Sequence, residues 1–292
     1  MNHAYFNGIF LPKDKISVSP DDRGFLFADG VYEVIRWYQR FFYDIDGHMA
    51  RLKRGLREIS INWTEADTFP SVARKLVEDN GLAGKDALVY LQVTRGTADR
   101  IHSFPSPPVI PTVYAHAKSF TPGSPGEQKG IAVMLGDDIR WKRCDIKSVA
   151  LLPNVLCYQS ALDNGFSEYA FMRNGFITEC THANIFFFLE NTLYTYPESM
   201  NILSGITRKN IIRIAREASI SIKEEPVHEN MIPHLGEAFI SGTSAEITPV
   251  VRLGRLKISN GMPGPVTRII KDKFNAEICF LKSKYSGPGL MT

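Results

Sequence analysis

Residues 121 to 126 read Thr-Pro-Gly-Ser-Pro-Gly, and no apolar side chain interrupts them. Proline fixes φ and glycine frees it, so such a run neither continues a helix nor pairs as a strand. It splits a chain of 292 residues into two lengths that each suit one domain of roughly 100–200 residues. The expected organisation is an N-terminal α/β domain over 1–120, a linker over 121–129 and a C-terminal domain over 130–292.

Hydrophobic periodicity fills in both parts. Asn7-Gly8 marks a turn after a short strand. Val31–Tyr38 and Arg40–Ile45 are rich in β-branched and aromatic residues and predict a hairpin joined near Gln39. Asp46 is the expected cap of a helix whose Met49, Leu52, Leu56 and Ile59 share one face. A second helix is expected over 71–80, ended by Asn80-Gly81, with strands over 87–94 and 111–117. Beyond the linker come a strand at 130–135, a helix at 153–164 and strands at 169–173 and 184–189. A helix after Gly205 aligns Ile211, Ile214, Ala215 and Ala218. The pattern is α/β, or α+β in the mixing of its elements.

Charge and composition exclude several classes. The net charge is +3, with Lys and Arg scattered among Asp and Glu, which is far from the basic face of a nucleic-acid binder. No apolar run approaches the ~20 residues of a membrane span, and the first residues lack the basic and apolar regions of a signal peptide. Cys144, Cys157, Cys180 and Cys279 form no metal-ligand spacing and suit a reducing, cytoplasmic setting. Motifs for dinucleotides, nucleoside triphosphates, zinc proteolysis and serine hydrolysis are absent.

Three constellations remain. Lys147, in Cys144-Asp-Ile-Lys147-Ser148, stands among Ile146, Val149, Ala150, Leu151 and Leu152. Burying its charge is costly unless it is paired or deprotonated, and a neutral lysine amine is a nucleophile for carbonyl carbon; a strand-end lysine with its head in water fits the same pattern. Glu179 lies between the Asn174-Gly175 turn and an apolar strand, where it could hold a proton on a pyridine nitrogen or cap a turn. Leu203-Ser-Gly205-Ile206-Thr207-Arg208 opens a helix whose free N–H groups and dipole suit a phosphate. Ser241-Gly242-Thr243-Ser244 can add further donors after a strand.

Taken in order, Glu179-x-Thr181-x-x-Asn184-Ile-Phe186, Leu193-x-Thr195 and Leu203-x-Gly205-Ile206-x-Arg208 resemble the signature of the class IV pyridoxal phosphate (PLP)-dependent aminotransferases. Asp22-Arg-Gly-Phe-Leu-Phe-Ala-Asp29-Gly-Val-Tyr-Glu33, Val93-Thr-Arg-Gly-Thr97, Arg100-x-His102-x-Phe-Pro105 and Asp138–Ser148 resemble the bacterial D-amino acid aminotransferases within it. The likeness spans nearly the whole chain and is vaguest after Gly261. It implies the fold-type IV architecture, two α/β domains with pyridoxal 5′-phosphate at their interface, in a homodimer.

The resemblance also assigns roles. Lys147 would carry the cofactor covalently and shuttle the proton at the substrate Cα, and Glu179 would face the pyridine nitrogen. Arg51, Ile206, Thr207, Gly242 and Thr243 would hold the cofactor, chiefly its phosphate; periodicity alone leaves Arg51, Arg54 and Arg57 equivalent. Tyr32, Arg100 and His102 would grip the substrate α-carboxylate, the last two reaching across the dimer. A guanidinium fork and a phenol suit a planar carboxylate, and i, i+2 residues of an extended segment can face one way.

The implied reaction moves an amino group from a D-amino acid such as D-Ala to a 2-oxo acid such as 2-oxoglutarate, by ping-pong alternation. Ser204, Gly242 and His182 depart from the D-amino acid enzymes, and Gly242-Thr243 is similar to the branched-chain L-amino acid aminotransferases. That activity, and that of aminodeoxychorismate lyase, are the alternatives on the same scaffold. A binding protein without the cofactor is disfavoured by Lys147 and Glu179.

Overall fold

The computed structural model describes residues 2–121, 123 and 129–285. The expected linker lies, apart from 121, 123 and 129, outside the described residues. Contacts divide the chain into two compact units, one of residues 2–121, 146–150 and 281–285, the other of 129–145 and 151–280.

The first unit is built on an antiparallel sheet of β1 (His3–Phe6), β2 (Ile9–Pro12), β3 (Gly30–Tyr38), β4 (Asp86–Thr94) and β5 (Thr112–Ser119), in the order β2-β1-β5-β4-β3. Asn7 and Gly8 have φ of 46° and 92°, the left-handed pair that a two-residue hairpin requires. Strand alternation sends Val31, Ile35, Trp37, Val89, Leu91, Val93, Val113 and Ala115 to one face. There they pack against α2 (Ile45–Glu58), through Met49, Leu52 and Leu56, and α3 (Phe69–Asp79), through Phe69, Ala73 and Leu76. Each Val, Leu, Ile, Met or Phe side chain among them contributes about 1.5–3 kcal/mol on leaving water.

Two local expectations change. The helix starts one residue earlier than its expected cap: Asp44, not Asp46, accepts the Gly47 N–H at 3.2 Å, and Asp46 lies in the first turn. The expected hairpin partner of β3 is reduced to a single bridge between Trp37 and Phe42, because the helix takes the chain from Ile45 onward. Residues 146–150 depart from the expected single C-terminal domain. Tyr32 N–H donates to the Lys147 carbonyl at 2.9 Å, Val149 N–H to Gly30 at 3.1 Å, and Ile146 enters the first core. Backbone pairing to β3 decides where Lys147 belongs.

The second unit holds a sheet in the order β11-β10-β9-β13-β14-β6-β7-β8-β12, with β15 paired to β14. Its strands are β6 (Ile131–Asp137), β7 (Glu168–Arg173), β8 (Phe176–Cys180), β9 (Asn184–Leu189), β10 (Thr192–Thr195), β11 (Ser221–Lys223), β12 (Val227–His228), β13 (Glu237–Gly242), β14 (Glu246–Leu253) and β15 (Leu256–Lys257). Helices α4 (Leu152–Asp163), α5 (Ile206–Glu217) and α6 (Pro265–Lys284) accompany it. The apolar run at Phe186–Leu189 is a central strand between β10 and β13, as its unbroken hydrophobicity implies. Ile211, Ile214 and Ala215 form the buried face of α5, and Ala218 serves as its C-cap. Among the described residues no helix is long and apolar enough to cross a membrane.

Candidate active site

In the first unit Lys147 meets Tyr32. Its Nζ lies 3.4 Å from the Tyr32 Oη and 4.4 Å from that ring's centroid. Backbone pairing to β3 fixes this proximity, since Tyr32 and Lys147 are also joined through their main chains. Tyr32 in turn stacks on Tyr90, with ring centroids 5.8 Å apart.

The next residue of β3, Glu33, points to the opposite, helix-covered face. It is fully buried and meets two side chains of α2. Arg51 donates from Nε and Nη2 to its two oxygens at 2.7 and 2.8 Å, and His48 Nδ1 lies 2.8 Å from Oε2. Burial alone would raise the Glu33 carboxyl, but Arg51 and then His48 outweigh it and hold the carboxyl well below the ordinary carboxylate range. Burial lowers His48, against the pull of Glu33. The structure thus separates Arg51 from Arg57, which helical spacing left equivalent. Arg51 is locked by a buried carboxylate, with its fork oriented, while Arg57 is exposed.

Arg100 and His102 sit in an irregular, exposed stretch between β4 and β5. They gather on Phe27, at the end of the short helix α1 (Arg23–Phe27). The Arg100 guanidinium is 5.3 Å and the His102 ring 5.5 Å from the Phe27 centroid.

In the second unit Glu179 ends up buried near the close of β8, only 4% exposed. Its Oε1 accepts from Arg140 Nη1 at 2.5 Å, and its Oε2 from the Leu203 N–H at 3.0 Å and Asn184 Nδ2 at 3.2 Å. Burial pushes the carboxyl up and Arg140 opposes it, with the net direction upward. Arg140 is itself clamped by Asp138 and raised by these carboxylates against its burial. A carboxylate so enclosed gains from a protonated ring nitrogen beside it, which would offset the desolvation.

The start of α5 has the features of a phosphate cradle. Its N-cap, Gly205, supplies no side-chain hydrogen bond to the first turn, where Ile206 and Thr207 are buried. A Cβ on Gly205 would fall 2.0 Å from Asn184 Oδ1, so only glycine lets the helix start against the residue that holds Glu179. At the end of β13 the Ser241 hydroxyl is buried and has no hydrogen-bond partner, and Ser241 lies in register with Asn184. Gly242 and Thr243 continue that strand end into the turn before β14. Uncapped first-turn N–H groups, an orphaned hydroxyl and a buried acid fit the phosphate and the pyridine nitrogen of pyridoxal phosphate. His182, between Glu179 and Asn184 in sequence, pairs through Nδ1 with the buried Glu168 at 2.8 Å.

Sequence reasoning missed Arg140, Glu33 and His48 as site residues. Arg140 and Glu33 lay in motifs that carried the family likeness, but pattern alone does not tell a buried ion-pair partner from a surface charge. An arginine two residues from an aspartate beside a strand end was the available signal.

The family model described as amino-transferase class IV matches residues 30–253. The chain belongs to the class IV aminotransferases, which are PLP-dependent enzymes. The D-alanine aminotransferase of Staphylococcus haemolyticus is 37% identical over 279 residues, 95% of this chain and 98% of that protein. The D-alanine aminotransferase of Bacillus licheniformis is 36% identical, with 91% and 93% covered. Among solved structures, the branched-chain amino acid aminotransferase of Escherichia coli superposes with a TM-score of 0.86 at 24% identity, over 94% of this chain and 93% of that one. That of Thermobaculum terrenum, in its PLP form, gives 0.84 at 23%, over 97% and 95%. These neighbours carry the fold-type IV architecture.

Proposed function

We propose that this chain transfers the amino group of a D-amino acid, D-Ala foremost, to a 2-oxo acid such as 2-oxoglutarate, as a cytoplasmic homodimer with pyridoxal 5′-phosphate on Lys147. The observation that carries this reading is the Lys147–Tyr32 pair, an amine and a phenol held together by the backbone pairing of their segments. The D-alanine aminotransferases among its relatives support the choice of substrate.

Lys147, Arg51, Glu179, Ile206, Thr207, Gly242 and Thr243 would hold the cofactor. When bound, pyridoxal phosphate supplies an aldehyde to take up the amino group and a ring to withdraw electrons from the substrate Cα. The residues do the rest. Lys147 Nζ takes the proton from the substrate Cα and returns one in the reverse half-reaction. Tyr32 orients that amine and joins in gripping the substrate α-carboxylate. Glu179, its charge fixed by Arg140, Asn184 and Leu203, holds a proton at the ring nitrogen. Arg51, already oriented by Glu33, and the first turn of α5 neutralise phosphate charge. Arg100 and His102 bind the substrate α-carboxylate, and their placement sets which enantiomer presents its Cα proton.

A half-reaction spectrum tests the reading. The PLP-loaded protein is mixed separately with D-Ala, D-Glu and L-Leu, and loss of the cofactor's long-wavelength band is followed. Faster loss with D-Ala than with L-Leu supports it; the reverse order replaces it with the branched-chain activity. Borohydride reduction and peptide mapping should place the cofactor on Lys147, and an adduct on any other lysine overturns the assignment.

A further inference from the structure

The pair assigned to the substrate carboxylate stands on a part of the chain with no regular structure of its own. Arg100, Ile101, His102 and Ser103 are all exposed, and the stretch before β5 forms neither helix nor strand. A guanidinium and an imidazole on such a segment discriminate between anions only if something else restricts them. Each rotamer left free must be frozen when the ligand binds.

Helix α1 supplies that restriction. Its first residue, Arg23, is only 3% exposed. The guanidinium donates from Nη1 to the carbonyl of Ile101, the residue between Arg100 and His102, at 2.6 Å, and from Nε to Asp29 at 2.9 Å. Asp29 is shared with Arg95, which contributes bonds of 2.7 and 2.9 Å and lies 3.7 Å over the Phe104 ring, two residues beyond His102. Arg95 is tied in turn to the carbonyls of Ile59 and Ser60. The exposed segment is thus gripped at Ile101 and at Phe104 by arginines that one carboxylate aligns.

The last residue of α1, Phe27, presents its ring to three cationic or titratable groups. Arg23 lies at 4.8 Å, Arg100 at 5.3 Å and His102 at 5.5 Å from its centroid. The negative face of an aromatic ring holds a guanidinium without consuming its hydrogen-bond donors. Arg100 can therefore be oriented by Phe27 and still offer its fork to a carboxylate. The Asp22 cap anchors the helix itself, accepting from the Gly24 N–H at 2.8 Å and the Thr94 hydroxyl at 3.0 Å.

We propose that Arg23 and Phe27 are positioning residues for carboxylate recognition: Arg23 fixes the backbone between Arg100 and His102, and Phe27 fixes their side chains. This rests on the reading that Arg100 and His102 bind the substrate carboxylate. Neither Arg23 nor Phe27 touches the reacting atoms. Their effect falls on the affinity for a carboxylate and not on the proton transfer at Lys147.

The test uses the PLP-loaded enzyme and the variants Phe27→Leu, Phe27→Tyr and Arg23→Lys. The readings are KM and kcat for D-Ala, the inhibition constant of propionate competing with D-Ala, cofactor content by absorbance, and the thermal midpoint. Phe27→Leu and Arg23→Lys are expected to raise both KM and the propionate constant by about five-fold or more, the scale of a loosened charge-assisted contact, with a smaller effect on kcat and full cofactor content. Phe27→Tyr, which keeps the ring, should restore both constants. Phe27 lies outside the hydrophobic core, so Phe27→Leu decides the matter even if Arg23→Lys does not fold. A lowered thermal midpoint with unchanged KM and propionate constant would show a merely structural role and overturn the proposal. If Arg100→Ala raises KM for D-Ala while Phe27→Leu does not, only the positioning role falls. If the wild-type enzyme takes no amino group from D-Ala, the functional reading falls and takes the positioning role with it.

Discussion

Arg140 donates to Glu179 across 2.5 Å, and both side chains are only 6% exposed. Asp138 stands behind Arg140 with no exposed side-chain surface, and Arg173 closes the row by donating to Asp138 at 2.7 Å. Two cations and two carboxylates alternate, so no charge in the row lacks an opposite neighbour. A buried ion pair gains little over an apolar core in stability, but it fixes charge and direction. Here the direction is that of the Glu179 carboxylate.

Glu179→Gln should therefore abolish the fixed negative charge while leaving the first turn of α5 and Arg51 intact. Turnover is expected to fall about 10²–10³-fold, the scale of a removed preorganised electrostatic contact. Cofactor content, read by absorbance, should stay near that of the wild type. Near-normal kcat in this variant would remove Glu179 from the mechanism.

Arg100→Ala removes one charge-assisted contact to the substrate carboxylate, a loss of about 2–5 kcal/mol when the contact is desolvated. At ~1.4 kcal/mol per decade, kcat/KM for D-Ala should drop ten-fold or more, with the cofactor retained. Unchanged kinetics would place the carboxylate elsewhere and favour the branched-chain reading that Gly242-Thr243 suggests.

Glu33 is held well below the ordinary carboxylate range because Arg51 and His48 outweigh its burial. A depressed carboxyl contributes stability that is fully present above its unfolded pKa of about 4.3 and lost as pH falls from there through the folded value. Denaturant unfolding of the wild type should lose stability below pH ~4.3, and Glu33→Gln should flatten that loss. At neutral pH the variant leaves Arg51 and His48 buried without their carboxylate, a cost of about 3–5 kcal/mol. Equal denaturation midpoints for wild type and variant at pH 7 would contradict this.

His116, on β5 beside Tyr90 and Tyr114, is lowered to about 4 by burial first and then by Lys13 and Lys118. An unfolded chain protonates this imidazole near pH 6.5, so between about 4 and that value only the unfolded state binds the proton. The sign is that stability is full above pH ~6.5 and declines as the pH drops. Proton NMR of the imidazole should show it neutral at pH 6, and His116→Gln should reduce the slope of stability between pH 6.5 and 4.5. An imidazole titrating near pH 6.5 in the folded protein would refute it.

Much of the architecture was legible in the residues. Enrichment in β-branched and aromatic residues marked the strand over 31–38, a strand was expected over 87–94, and the spacing of Met49, Leu52 and Leu56 set the buried face of α2. The breadth of the apolar run at Phe186–Leu189 marked a strand covered on both faces. The ordered motifs from Glu179 to Arg208 carried the family. All of these are local patterns, and local patterns report which face of an element leaves water. They do not report what meets it there. That Arg51 meets a buried carboxylate came only from Glu33, which is 18 residues away in sequence and 2.7 Å away in space. The membership of Lys147 in the first unit came from backbone pairing with β3, 115 residues earlier. The Arg140 clamp on Glu179 and the Arg23 grip on Ile101 join residues 39 and 78 positions apart. Sequence by itself determined the elements, the core and the chemistry available. Only the tertiary structure decided which charges are buried together, because the cost of removing a charge from water is met by partners that the fold, not the neighbouring sequence, brings within reach.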